Sequence, residues 1–132
     1  MIRAGLIALA MIAGPASGLS AQTDSFPSDG VGENTRVVVG LGARLKALDK
    51  VNGQVSEFDI LAGGAVQIGK LVVEMRECRY PEDNPSGEAF AFLVITETDD
   101  QIFSGWMIAS SPALNALDHF RYDIWVLRCK TL

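Results

Sequence analysis

The sequence predicts a small all-β domain, mainly antiparallel, folded as a β-sandwich or a partly open barrel of about seven strands with one short helix. Short apolar runs recur along the chain with turn residues between them. No strand pattern alternates with a long helical pattern, which argues against a parallel α/β sheet. The chain has 132 residues, a length that is typical of one domain.

The first 21 residues have the pattern of a cleavable signal peptide. Arg3 is followed by ten uncharged residues and then by a small-residue stretch that ends at Ala21. The apolar run is about half as long as a membrane-spanning helix. We therefore expect cleavage after Ala21, a periplasmic protein without a membrane span, a flexible arm over 22–35 and one β-rich domain over 36–132.

The charge balance is acidic. The chain has 16 acids against 11 bases, a formal net charge of −5 and a pI near 4.7. Loss of Arg3 with the signal peptide would make the charge 10 − 16 = −6. A basic footprint for nucleic acid or for an anionic lipid surface is therefore not expected.

The first strands are predicted from β-branched residues and from a turn signal. Val37 to Val39 form a β-branched run, and Arg44 to Val51 continues as a second strand. The pair Asn52-Gly53 favours a type I′ hairpin, because both residues tolerate a positive φ. The return strand Val55 to Leu61 places Phe58 and Ile60 on the same face.

Two further strands precede a loop. Ala65 to Ile68 is short, and Leu71 to Arg76 alternates apolar with polar residues. Cys78 falls on the polar side of that alternation. Either a bulge near Glu77 turns Cys78 inward or the cysteine lies on the outer face. Tyr80 to Glu88 is rich in Pro, Asp, Asn and Gly and is expected to be a loop.

The remaining strands are apolar on both sides. Ala89 to Ile95 and Ile102 to Ala109 lack the polar alternation of a half-exposed strand, with a turn at 98–100 between them. Ser111 followed by Pro112 predicts the start of a short helix that extends to Leu117, with Ser111 as its N-cap. A final strand is expected over Tyr122 to Cys129.

The two cysteines of the expected mature chain, Cys78 and Cys129, predict one disulfide. A link across 51 positions would stabilise the fold by roughly 4 kcal/mol in the loop-closure description. A metal site or a reactive thiol pair is the alternative, but His119 is the only histidine and has no cysteine at ligand spacing. Neither a metal nor another cofactor is expected.

Several segments of the C-terminal half carry a resemblance to a known family: FSGWM (103–107), SSPAL (110–114), DH (118–119) and YDIWVLRC (122–129). The chain resembles an uncharacterised family of small exported proteobacterial proteins, described as a domain of unknown function, over roughly Ala43 to Cys129. The resemblance implies a periplasmic β-rich domain with no assigned reaction. The resemblance also implies gene neighbourhoods that hold an accessory subunit of respiratory complex I.

The candidate catalytic residues have simpler structural explanations. Asp118 and His119 are adjacent at the end of the expected helix, where an imidazolium would meet the negative end of the helix dipole. Ser110 and Ser111 lack the neighbours of a known serine nucleophile. The acidic loop around Glu82 matches no calcium-binding spacing, so it is expected to be solvated.

The strands that are apolar on both sides predict a docking face. The chain offers little to cover a second apolar face, so an exposed apolar patch near Trp106 or Trp125 is expected to mark a partner interface. The alternative is a closed barrel or sandwich that buries both sides. The candidate interface residues are Trp106, Met107, Tyr122, Trp125 and Leu127.

The leading functional hypothesis is a non-catalytic periplasmic interaction module. Its expected partner is a protein, with the periplasmic face of respiratory complex I (NADH:ubiquinone oxidoreductase) as the named candidate and the protein as an accessory subunit. One alternative is a β-barrel that binds a small molecule or a glycan, which requires a cavity with convergent polar groups. Another is a hydrolase that uses His119, which requires a nucleophile and a second acid within reach.

Overall fold

The computed structural model describes residues 35–132. This part of the chain forms eight β-strands, in most of which buried and more exposed side chains alternate. The expected signal peptide and all of the expected arm except Thr35 lie outside the described residues. Each strand corresponds to one of the segments that the sequence indicates, and their total is close to the predicted number of about seven. They are β1 (Val37–Val39), β2 (Gly42–Asp49), β3 (Gln54–Leu61), β4 (Ala65–Ile68), β5 (Leu71–Pro81), β6 (Phe90–Glu97), β7 (Asp100–Ile108) and β8 (Tyr122–Lys130).

The strands form two sheets in which every pairing is antiparallel. The large sheet has the order β1-β5-β6-β7, and β4 pairs with the other end of β5. The small sheet has the order β3-β2-β8. The described strands do not close into a barrel. The all-β prediction is confirmed, and of the two architectures considered the arrangement is the sandwich.

The core lies between the two sheets and is supplied by every second residue of the central strands. β2 buries Leu45, β5 buries Val73 and Met75, and β6 buries Leu93 and Ile95, all of them completely. Burying one such side chain contributes about 1.5–3 kcal/mol to folding. One face of β5 packs against the core and the other faces solvent, which explains why apolar and polar residues alternate along this strand.

A bulge in β5 turns Cys78 into this core. The register between β5 and β6 shifts between Met75 and Glu77, so Cys78 is fully buried although the alternation places it among polar residues. Cys78 is bonded to Cys129 of β8, with 5.7 Å between the two Cα atoms. The predicted disulfide is confirmed, and it joins the large sheet to the small one.

The hairpin between β2 and β3 is confirmed, but its turn is not of type I′. Its connection has four residues, and of the pair Asn52-Gly53 only Gly53 has a positive φ, 74°. Two side chains favour the wider loop. The Asp49 carboxylate accepts a hydrogen bond from the Val51 amide, and the Asn52 side chain accepts one from the Gln54 amide.

The short helix predicted after Ser111 is confirmed, but it is much shorter than the expected span to Leu117. The structure has a single 3-10 turn, Pro112–Leu114, in which the Ser111 side chain makes no capping hydrogen bond and no residue is buried. A longer helix would need a packed apolar face to be stable, whereas residues 112–116 are all exposed and only Leu117, beyond the turn, enters the core. His119 therefore does not lie at a helix end. No helix among residues 35–132 has the length and apolar character needed to cross a membrane.

Candidate functional site

The outer face of the large sheet is apolar over β6 and β7. Phe90 lies opposite Ile108, and Phe92 lies opposite Trp106, so these side chains share the face that points away from the core. All are half-buried. Val37 and Val39 of β1 extend this surface and are 54% and 62% exposed. We call this surface, formed by Val37, Val39, Phe90, Phe92, Val94, Trp106 and Ile108, the apolar face.

Trp106, on the outermost strand β7, is the largest side chain of the apolar face. Its ring meets that of Phe92 edge to face, with 5.4 Å between the ring centroids. The guanidinium of Arg79 lies 5.1 Å above the indole and is also paired with Glu77. Beside the indole, a groove of about 250 Å³ is lined by Val37, Arg79, Phe90 and Trp106. This volume accommodates one large apolar side chain.

Two of the five predicted interface residues lie in the core instead. Met107 and Tyr122 are only 3% and 6% exposed, because both point between the sheets. The prediction that they form an interface is therefore wrong. Trp125 and Leu127 are half-buried residues of β8 in the small sheet, and Trp125 lies opposite Lys46. Trp106 belongs to the other sheet, so the five residues do not form one surface.

His119 is buried and has a complete set of hydrogen bonds. Its Nδ1 accepts the backbone N–H groups of Arg121 at 3.1 Å and Tyr122 at 3.0 Å, and its Nε2 lies 3.3 Å from a Glu97 carboxylate oxygen. Since Nδ1 accepts, the ring proton lies on Nε2 and is donated to Glu97. The ring stacks between Phe120 and Tyr122 and is 8% exposed. This arrangement is that of a structural histidine.

The hydroxyl of Ser110, the candidate nucleophile, is hydrogen-bonded to the carboxylate of Glu88 and not to His119. The Ser110 hydroxyl donates to Glu88, whose carboxylate also accepts the backbone N–H groups of Ala89 at 2.9 Å and Ser110 at 3.2 Å. Burial raises the pKa of Glu88, but these hydrogen bonds outweigh burial and leave the pKa below its ordinary value. Glu88 therefore anchors the loop that the sequence describes as solvated.

A polar cleft of about 300 Å³ lies at the start of β8. It is lined by residues that include Asp49, Asn52, Gln54, Arg121 and Tyr122. Arg121 donates to both carboxylate oxygens of Asp49 at 2.7–3.2 Å. This hydrogen bonding lowers the pKa of Asp49. The best polar groups of the cleft are thus paired with each other.

The outer face of the small sheet carries a network of charges that sequence reasoning missed. The carboxylate of Asp59 accepts hydrogen bonds from Arg44 at 2.8 Å and from Lys130 at 2.7 Å. These two cations hold the pKa of the Asp59 carboxyl well below its usual range. A two-residue turn at Asn52-Gly53 would have placed Arg44 opposite Leu61, so the pairing of Arg44 with Asp59 follows only from the observed four-residue connection.

Metal binding has no support in the described part of the chain. Residues 35–132 contain no group of three or more His, Cys, Asp or Glu side chains placed to hold an ion.

Comparison with known proteins identifies the family but not an activity. Residues 43–129 match a family described as an uncharacterized protein conserved in bacteria (DUF2155). The chain belongs to this family. It is also 26% identical, over 91 residues, to an uncharacterized protein of Rickettsia prowazekii. That match covers 65% of this chain and 59% of the relative, so the chain spans about three fifths of the relative's length. No solved structure is significantly similar to it.

Proposed function

We propose that this member of the family is a non-catalytic periplasmic interaction module that docks onto a partner protein through the apolar face. One observation carries the proposal: the outer face of the large sheet has aromatic and aliphatic side chains where a solvated sheet has polar ones. An apolar surface that is left partly exposed and has charged residues beside it is typical of a protein interface.

The border of the apolar face is charged. Along the outer side of β5, Arg76 pairs with Glu74 and Arg79 pairs with Glu77. These ion pairs are exposed, so they contribute little stability to the isolated domain. Because β5 lies between β1 and β6, these charges form a strip along one side of the aromatic residues of β6 and β7, as part of a polar rim would. The groove beside Trp106 would receive an aliphatic or aromatic side chain of the partner.

The proposed periplasmic location and the proposed partner, respiratory complex I, rest on different observations. A buried disulfide is typical of exported proteins, which supports the periplasmic location. Complex I, approached from its periplasmic face, is the partner that the family resemblance implies. The protein would then be an accessory subunit of that complex.

The two alternative functions have less support. A glycan would have to displace the Asp49–Arg121 pairing in the polar cleft, where both carboxylate oxygens already accept hydrogen bonds. A hydrolase would need a free nitrogen on His119, whereas both ring nitrogens are engaged and the ring is buried.

Affinity purification from native membranes tests the proposal. The full chain is expressed with a C-terminal tag, and complex I subunits are identified by mass spectrometry in the wild type, Trp106→Ala and Trp125→Ala. We expect the Trp106 substitution to abolish recovery of complex I, since interface tryptophans contribute disproportionately to binding. The Trp125 substitution, on the opposite sheet, should leave recovery unchanged.

Each other outcome contradicts part of the proposal. Equal recovery in all three proteins would contradict docking through the apolar face. A different partner that is lost only with Trp106→Ala would support docking but overturn the assignment to complex I.

A further inference from the structure

Three cationic side chains meet at one end of the small sheet. Arg44 of β2 lies directly opposite Arg128 of β8 in the ladder, and Lys130 lies two residues further along β8. Together with Asp59, all three line a groove of about 300 Å³. We call this site the basic groove. Like charges directly opposite each other in a sheet are destabilising, so this placement calls for an explanation.

The basic groove has more positive than negative charge. Among its lining residues Asp59 is the only carboxylate, and it pairs with both Arg44 and Lys130. Arg128 has no ion pair within residues 35–132 and is exposed. Three cations and one carboxylate leave a surplus of two positive charges. The whole chain, in contrast, has a formal charge of −5.

We propose that the basic groove binds a phosphate group. A guanidinium presents its N–H donors as a planar fork that matches two phosphate oxygens. Arg128 offers such a fork without an ion pair in the described residues, whereas Arg44 and Lys130 beside it also donate to Asp59 and would contribute their remaining N–H groups. The Ser86 and Thr131 residues bring hydroxyl groups to the same lining. A phosphate monoester dianion would compensate both surplus charges, and a phosphodiester, which carries one negative charge, would compensate one of them through the same guanidinium donors.

The phosphate group has two possible sources with the same chemistry. It is either a free phosphate or phosphate monoester, or the phosphodiester of a lipid headgroup. The net charge of the chain predicts no anionic partner, but net charge averages over the whole surface and does not describe one groove. The basic groove lies on the small sheet and the apolar face on the large sheet, so this inference is independent of the proposed docking.

Two binding measurements distinguish the sources. Protein purified after expression of the full chain is titrated with sodium phosphate at constant ionic strength and neutral pH, with backbone amide NMR as the readout. In parallel, the protein is sedimented with phosphatidylcholine vesicles that contain or lack phosphatidylglycerol. We expect shifts at the amides around the basic groove, and about tenfold weaker binding for Arg128→Ala.

Arg76→Ala is the matched control. It removes the same charge from an exposed arginine on the large sheet, so binding should be unchanged. Lys130→Ala provides a second variant of the groove if Arg128→Ala fails to fold. Binding of free phosphate that depends on Arg128 identifies a soluble phosphate ligand, and binding only to phosphatidylglycerol vesicles identifies a lipid headgroup. Absence of binding in both measurements, or equal losses in the Arg76 and Arg128 variants, overturns the proposal.

Discussion

Single side chains hold the irregular segment before β8, and His119 is the clearest case. Two consecutive residues, Arg121 and Tyr122, donate their backbone N–H groups to one ring nitrogen, while the other nitrogen donates to Glu97. Lys50 adds a further link by donating to the His119 carbonyl oxygen at 2.6 Å. A buried polar group without a hydrogen-bond partner costs free energy. His119 therefore provides the acceptor for two backbone N–H groups of this short segment.

We expect His119→Ala to lower the free energy of unfolding by about 1–3 kcal/mol for each amide left without an acceptor. His119→Asn should be less destabilising, because its side-chain oxygen can occupy the position of Nδ1 and accept the same two amides. Urea denaturation followed by circular dichroism measures both variants. Equal destabilisation by alanine and asparagine would show that the ring is needed for packing rather than for its hydrogen bonds.

Two of the turns that connect strands contain a glycine with a positive φ, and the surroundings of these two glycines differ. Ile68 of β4 pairs with Leu71 of β5, which leaves Gly69 and Lys70 as a two-residue turn. Gly69 has a φ of 58°, and a Cβ placed on it would collide with the hydroxyl of the buried Tyr122. Gly53, in the β2–β3 loop, also has a positive φ but has open space around it. An alanine at position 53 would therefore introduce backbone strain alone, whereas an alanine at position 69 would introduce strain and a steric clash.

We expect Gly53→Ala to cost about 1–2 kcal/mol, the strain of a left-handed alanine. Gly69→Ala should cost about 1–3 kcal/mol more, since it must also displace a core side chain. Thermal unfolding of the two variants measures the difference. Equal melting temperatures would mean that Tyr122 moves aside without cost.

The strands and the hairpin could be predicted from the sequence, but the sorting of residues between faces could not. Alternation and turn residues correctly predict the β2–β3 hairpin and the start of β5, but β5 continues to Pro81, past the predicted start of the loop at Tyr80. In β7 and β8 both sides are apolar, so Trp106 and Met107 are equivalent until the pairing with β6 is known. Arg44 and Arg128 are likewise brought together only by the pairing of β2 with β8, which are distant in the chain.

As a whole, the domain relies on carboxylates that are stabilised in their charged form. Hydrogen bonds from Arg121, Arg44 and Arg79 lower the pKa values of Asp49, Asp59 and Glu77 respectively. A lowered pKa in the folded state adds stability above the unfolded pKa, near 4, and that stability is lost as the pH falls through the folded value. The fold is therefore expected to weaken in acid.

We expect the free energy of unfolding to fall steadily as the pH decreases below about 4.5. Glu88→Gln should lower stability by about 1 kcal/mol at neutral pH and give a shallower decline in acid, because one contributing carboxylate is gone. Denaturation curves at a series of pH values measure this. Glu82→Gln, an exposed acid in the same loop, should retain the wild-type decline. A decline for Glu88→Gln as steep as that of the wild type would contradict the role of Glu88.

The bond between Cys78 and Cys129 also decides how the molecule responds to mechanical tension. A pull on Thr35 and Leu132 reaches the bond before it reaches any residue between the two cysteines, because the bond bypasses that 51-residue span. Residues upstream of Cys78 can be peeled away, beginning with the three-residue β1. β6 and β7, with Trp106 on their outer surface, lie inside the covalent loop and bear no load. If one end of the chain were attached to a moving structure, β6 and β7 would thus remain paired under tension.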